Sequence, residues 1–247
     1  MSDTITLSIF GGERCVTTRA ALERAARSIA AKAESVKRAR VVPKLMTYPA
    51  RPIQGGRLEL APPKRGLWYA EPKFNGWRAL VHCPSRTMWN RHGSRLTIAH
   101  CFKDALDDLR DLADEGLIWA DCEALERRHD IARGTLILLD AIPAVPEFTP
   151  SYIERRTFLE SLHVPVEKFS RGINEPDAPP LLLTTSLLAS HHNDVLAFYK
   201  TLHEANRKLA CEFFEGVVMK RGDAAYPVQL RSSTEECRAM MKHRFLN

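Results

Sequence analysis

The sequence lacks an uninterrupted apolar run near the roughly 18 residues that a membrane-crossing helix needs. Its start, MSDTITLSIFGGERC, has no basic stretch leading into a long apolar one. Membrane and secreted classes are therefore not expected, and a cytoplasmic location is. None of the six cysteines (Cys15, Cys83, Cys101, Cys122, Cys211, Cys237) forms a CxxC pair or joins histidines at zinc-ligand spacing. Neither a disulfide framework nor a structural zinc site is suggested by that pattern, and reduced, mostly buried thiols are expected. There is no internal repeat and no low-complexity tract. Acidic residues are scarce at one end only: residues 1–65 hold 5 Asp/Glu against 13 Lys/Arg, a balance of +8, while the remainder holds 25 against 23. Such a basic block suits contact with a polyanion, because neutralised phosphates release their counterions, and it also suits a solvated helix face.

What is present is ordinary globular material, 247 residues with 45% apolar and 8% aromatic side chains, enough for one large domain or two small ones. After Thr17-Thr18, which can cap a helix, Leu22, Ala25, Ala26, Ile29, Ala33 and Val36 recur at helical spacing. Proline and glycine then come in quick succession, so 41–66 reads as an extended, wrapping connector. The division expected is a basic helical extension and proline-rich connector over 1–66 and a main domain over 67–247. Within the latter, strands are expected at 67–70, 78–83, 87–90, 117–125, 134–142, 181–186 and 215–221, with Pro84-Ser85-Arg86 as a hairpin turn. Helices are expected at 102–116, 152–162 and 194–209, and the proline-rich 165–180 reads as a surface loop. This is an α+β pattern.

The stretch EPKFNGWRAL, 71–80, sets Lys73 and Arg78 on either side of a glycine corner. Like charges this close repel unless an anion lies between them, which points to a phosphate site. Alone, such a string also fits a plain basic hairpin. The ordered set of polar clusters downstream raises its meaning. NRHGSRL brings Arg91 and Gly93, DCEAL brings Asp121 and Glu123, and LLDAI brings Asp140. EGVVMK then brings Glu215 and Lys220, and MMKHR brings Lys242 and Arg244.

This series resembles the nucleotidyltransferase motifs of ATP-dependent polynucleotide ligases, which read EPKxDGxR, SRNG, DGE, FD, EGxxxK and KxK. YIERRTFLE at 152–160 resembles their YxxRRxxLE helix. The chain is most similar to compact bacterial DNA ligases related to those of end joining, over about 67–245. The resemblance implies a nucleotidyltransferase catalytic domain, of the DNA ligase and mRNA capping enzyme type, with antiparallel sheets flanked by helices. It also implies an enzyme that uses ATP with Mg²⁺ or Mn²⁺ to seal DNA. Lys73 would carry AMP as a lysyl adduct. A lysine amine ordinarily titrates near 10.4, and burial together with the neighbouring cations Arg78, Lys220 and Lys242 would favour its neutral, nucleophilic form. Lys220 and Lys242, with Arg244, would hold the α-phosphate. Glu71 would sit by the adenine, Arg91 by the ribose or the incoming 5′-phosphate, Glu123 on the ribose or metal side and Glu215 on the metal. Asp121 and Asp140 are expected in support.

The chain also departs from the pattern. Asn75 stands where these ligases carry Asp, Leu139 replaces the aromatic of FD, and Arg244 replaces the second lysine. The sequence stops three residues after Arg244, where the ligases it resembles continue into an OB-fold domain that clamps DNA. The partners expected are nicked or broken duplex DNA and a separate DNA-clamping protein in place of that domain, with no membrane. Two other readings remain open: an RNA ligase or capping-type nucleotidyltransferase, and a non-catalytic nucleic-acid-binding relative.

Overall fold

The computed structural model describes residues 4–6, 16–18, 48–49, 51–55, 66–126, 131–144, 149–166, 179–189, 192–229 and 236–245. The helix expected after Thr18 lies outside them, as do 167–178 of the expected proline-rich loop. Thr17 and Thr18 belong to a short strand, β2 (Val16–Thr18), paired antiparallel with β1 (Thr4–Thr6). They therefore extend a strand, where capping was expected.

The apolar runs of the main domain pair into two five-stranded sheets. One contains β6 (Trp77–His82), β7 (Thr87–Asn90), β8 (Trp119–Leu125), β9 (Thr135–Ile142) and β10 (Leu181–Leu183), in the order β10-β9-β8-β6-β7. The other contains β4 (Arg51–Gln54), β5 (Trp68–Phe74), β11 (Leu187–Leu188), β12 (Phe214–Arg221) and β14 (Glu236–Arg244), in the order β11-β5-β12-β14-β4. Pairing is antiparallel except at β9–β10 and β4–β14. β3 (Tyr48–Pro49) and β13 (Val228–Gln229) form a separate two-stranded pair. Segment 51–54, read from sequence as connector, is thus the edge strand of the second sheet, and Pro52 is tolerated there because an edge strand has no partner on its outer side.

Each sheet carries its own helices. α1 (Lys103–Leu112) follows a 3₁₀ turn at Thr97–Phe102 and buries Ala105, Leu106 and Leu109 against the first sheet. α2 (Tyr152–Ser161) starts with a reciprocal cap: Ser151 accepts from the Glu154 N–H, and Glu154 accepts from the Ser151 N–H at 2.8 Å. Such a cap is worth about 1 kcal/mol. α3 (His192–Leu209) lays Val195, Phe198, Leu202 and Ala205 on the second sheet, beside Phe213, Phe214 and Val217. The expected turn at 84–86 is a 3₁₀ turn over Cys83–Ser85, with Arg86 left-handed at φ 54°. Cys83 and Cys122 are buried free thiols, and no helix among the described residues is long and apolar enough to cross a membrane.

Candidate active site

A cavity of about 630 Å³ is lined by both sheets. Alternation along the strands decides which residues face it. On β5, Glu71 and Lys73 reach it while Ala70 is core; on β12, Glu215, Val218 and Lys220 reach it while Val217 and Met219 are core; on β14, Met240, Lys242 and Arg244 reach it. β6 and β8 add Arg78, Asp121 and Glu123, and the turn after β7 adds Arg91. All nine residues singled out from sequence as nucleophile, nucleotide ligands or metal ligands therefore line one cavity. His243, between Lys242 and Arg244, is buried and does not line it.

Two glycines make the close approaches possible. The Gly76 N–H donates to Glu123 Oε1 at 3.0 Å, and a Cβ at Gly76 would lie 2.8 Å from the Ala124 carbonyl oxygen and from Glu123 Cγ. At Glu215 the pairing of β12 with β5 slips between Phe214 and Gly216, a bulge that sets Glu215 outside the regular register. Gly216 holds that bulge at φ +141°, and a Cβ there would sit 1.9 Å from the His243 carbonyl oxygen. The re-aimed Glu215 accepts a hydrogen bond from Lys73 Nζ, and its Oε2 lies 3.3 Å from Arg244 Nη2.

The other cations have partners of their own. Arg78 makes a bidentate pair with Asp121 (Nε to Oδ1 2.8 Å, Nη2 to Oδ2 2.5 Å), and Tyr226 donates to Asp121 at 2.8 Å. Burial opposes the Arg78 charge, but Asp121 outweighs it, so the guanidinium is held charged. Lys220 lies 2.8 Å from Glu71 Oε2 and 3.6 Å from Asp140, and donates to the Leu139 carbonyl at 2.9 Å. Leu139 thus serves through its backbone, a role the missing aromatic does not touch. Asp140 takes both Nε and Nη2 of Arg155 (2.7 and 3.0 Å). Burial alone would raise the Asp140 carboxyl, but Arg155 and Lys220 hold it below its usual range. Glu71, expected beside adenine, is 2% exposed and receives Tyr152 as a second donor. Asp121 and Asp140 are both buried.

Burial pushes the Glu123 carboxyl up to about 7, against the pull of Lys73 and Arg78. Asn75, at the position where Asp was expected, donates Nδ2 to the Glu212 carbonyl at 2.9 Å while its N–H bonds Phe213. An aspartate has no such donor, so the amide suits the role of tying the β5–β6 corner to the start of β12. Sequence reasoning missed Tyr152, Arg155 and Tyr226 as parts of the site. The signal for the first two was a tyrosine and an arginine three apart on a helix face that also carries Phe158 and Leu159.

No family model and no curated protein matches the sequence. Solved structures do match in shape. A Chlorella virus DNA ligase-adenylate is 15% identical, with a TM-score of 0.51 over 81% of this chain and 67% of that one. The ligase domain of LigD from M. tuberculosis is 19% identical, with a TM-score of 0.50 over 80% and 59%. An archaeal ATP-dependent RNA ligase is 15% identical, with a TM-score of 0.51 over 78% and 47%. The fold is that of a ligase-type nucleotidyltransferase domain. The chain spans about half to three fifths of the length of several of the ligases it matches.

Proposed function

We propose that this chain is the catalytic core of an ATP-dependent DNA ligase, with Lys73 as the nucleophile. One observation carries the reading: Lys73, Lys220 and Lys242, from the adjacent strands β5, β12 and β14, line one cavity together with Glu123 and Glu215. A structural lysine in a hairpin would account for the first of these and not for all three.

In the first step Lys73 Nζ forms a P–N bond at the α-phosphorus of ATP as the bond to the pyrophosphate oxygen breaks. Glu215, already the acceptor for Nζ, orients the amine with Arg244 balancing that carboxylate from its other side, and the proton that Nζ sheds leaves with the departing pyrophosphate. Lys220 and Lys242 stabilise the charge developing on the phosphate oxygens. AMP then passes from Lys73 to a 5′-phosphate, the P–N bond giving way to a P–O–P linkage, and a 3′-hydroxyl displaces AMP to join the strand. Each transfer relies on positioning and charge neutralisation. The donor set fits Mg²⁺, which keeps most of its waters and takes one or two carboxylates beside phosphate oxygens. Glu123 and Glu215 would hold it, and no group of three His, Cys, Asp or Glu suited to a fully protein-held ion occurs among the described residues. When bound, the metal supplies charge neutralisation at the phosphates. The partner proposed is nicked or broken duplex DNA.

The test is incubation with Mg²⁺ and α-³²P-labelled ATP or GTP beside Lys73→Ala, then denaturing electrophoresis and sealing assays on nicked DNA and nicked RNA. Label from ATP that is lost in the variant, with sealing of DNA, supports the reading. Label from GTP moves the protein to the capping class, sealing of RNA alone moves it to the RNA ligases, and no label supports a binding-only relative.

A further inference from the structure

Of the four tryptophans, Trp68, Trp89 and Trp119 are buried in the cores at 7 to 8% exposure. Trp77 is 37% exposed and stands on the wall of the catalytic cavity, directly after the glycine corner that receives Glu123. Over a third of its surface therefore stays accessible, where the other three are nearly covered.

The turn after β7 lines the same cavity, and it is ordered in advance. Asn90 Oδ1 accepts from the N–H groups of His92 (2.8 Å) and Ser94 (3.0 Å), and the Gly93 N–H donates to the Asn90 carbonyl at 3.0 Å. It presents Arg91 and His92, both exposed and both on the cavity wall. The rim thus pairs an aromatic face with a cation, Arg91, held on a fixed turn and donating to His92 Nε2 at 3.2 Å, which is how sequence-tolerant polynucleotide grooves are built: every base offers a π-face and every linkage a phosphate.

The geometry points to a polynucleotide subsite at this rim. Trp77 stacks on a base at the end of the strand whose 5′-phosphate enters the cavity, and Arg91 meets the backbone beside it. A small nucleotide is gripped by enclosure, so a ring this open suits a partner too large to be swallowed. The subsite rests on the ligase reading of the cavity and adds to it the residue that grips the strand end.

The experiment titrates the full chain with a nicked DNA duplex bearing a 5′-phosphate and monitors tryptophan fluorescence, with lysyl-AMP formation measured on the same wild-type preparation. Quenching is expected in the wild type and not in Trp77→Phe, which keeps most of the affinity because a phenyl ring still stacks. Trp77→Ala, its fold checked by thermal melting, is expected to weaken DNA binding about tenfold. Quenching that persists in Trp77→Phe overturns the subsite, as does unchanged DNA affinity in Trp77→Ala. Quenching by ATP alone overturns it as well and assigns the ring to the nucleotide. Quenching by DNA without any label from ATP sinks the ligase reading and leaves the rim standing.

Discussion

On the floor of the cavity and just beneath it, Lys220, Arg155 and Arg78 meet the carboxylates of Glu71, Asp140 and Asp121; the carboxylates are 2 to 4% exposed, Arg155 and Lys220 3% and 9%, and Arg78 21%. At the mouth, Lys73 and Arg244 share Glu215, and those three side chains are 20%, 57% and 23% exposed. A buried pair that loses one member leaves an uncompensated charge, so the floor cannot trade partners. The mouth pair Lys73–Glu215 keeps about a fifth of each side chain in solvent and Arg244 offers Glu215 a second partner, so the mouth can. The groups proposed to change partners in the reaction are the ones held where an exchange costs least, and the floor fixes the strands that carry them.

Asp140→Ala breaks the floor and should have the largest effect on stability. It strands Arg155 and Lys220, and a loss of about 3–5 kcal/mol is expected in urea unfolding. A loss under about 1 kcal/mol would show that the floor is not locked. Because the Asp140 carboxyl lies below its ordinary range in the folded state, its contribution is fully present above about pH 3.8 and is lost as the pH falls further, through the folded-state value. Gly216→Ala comes next. A side chain at φ +141° with its Cβ against the His243 carbonyl should cost about 3 kcal/mol and misdirect Glu215. A variant of wild-type stability would mean that the bulge relaxes freely.

Glu215→Ala sharpens the contrast from the other side. Stability should fall by less than in Asp140→Ala, because these side chains keep contact with solvent, while the rate of labelling from ATP falls on the order of a hundredfold. Equal damage to both would place Glu215 with the floor. The smallest effect belongs to a pair far from either region: Arg207→Ala, which removes the exposed partner of Glu204, should shift the stability read from urea unfolding by less than about 0.5 kcal/mol.

Much of the site is legible in the sequence because most of its residues sit on strands, where alternation largely sets which side chains point into the cavity. Glu71 and Lys73 are two apart on β5, and Lys242 and Arg244 two apart on β14. What escapes is whatever depends on distant pairing. Residues 51–54 lie beside 236–242 in parallel register, a contact between ends of the chain that no local pattern announces, and Pro52 argues against a strand until the edge position is known. Arg78 invites a reading as a phosphate ligand because its partner Asp121 is 43 residues away, and that pairing comes from the β6–β8 ladder. Arg155 looks like a surface arginine on a helix until Asp140 on β9 is seen beneath it. In each case the residue type was visible and its partner was not, and the partner decides whether a charge is locked or available.

The central claim is that Lys73, at the mouth, is the nucleophile and Lys220, on the floor, is not. Peptide mapping by mass spectrometry, after incubation with ATP and Mg²⁺, tests it most directly. The account predicts an AMP adduct on the peptide bearing Lys73 and none on those bearing Lys220 or Lys242. An adduct on Lys220 or Lys242, or labelling that survives in Lys73→Ala, would contradict it.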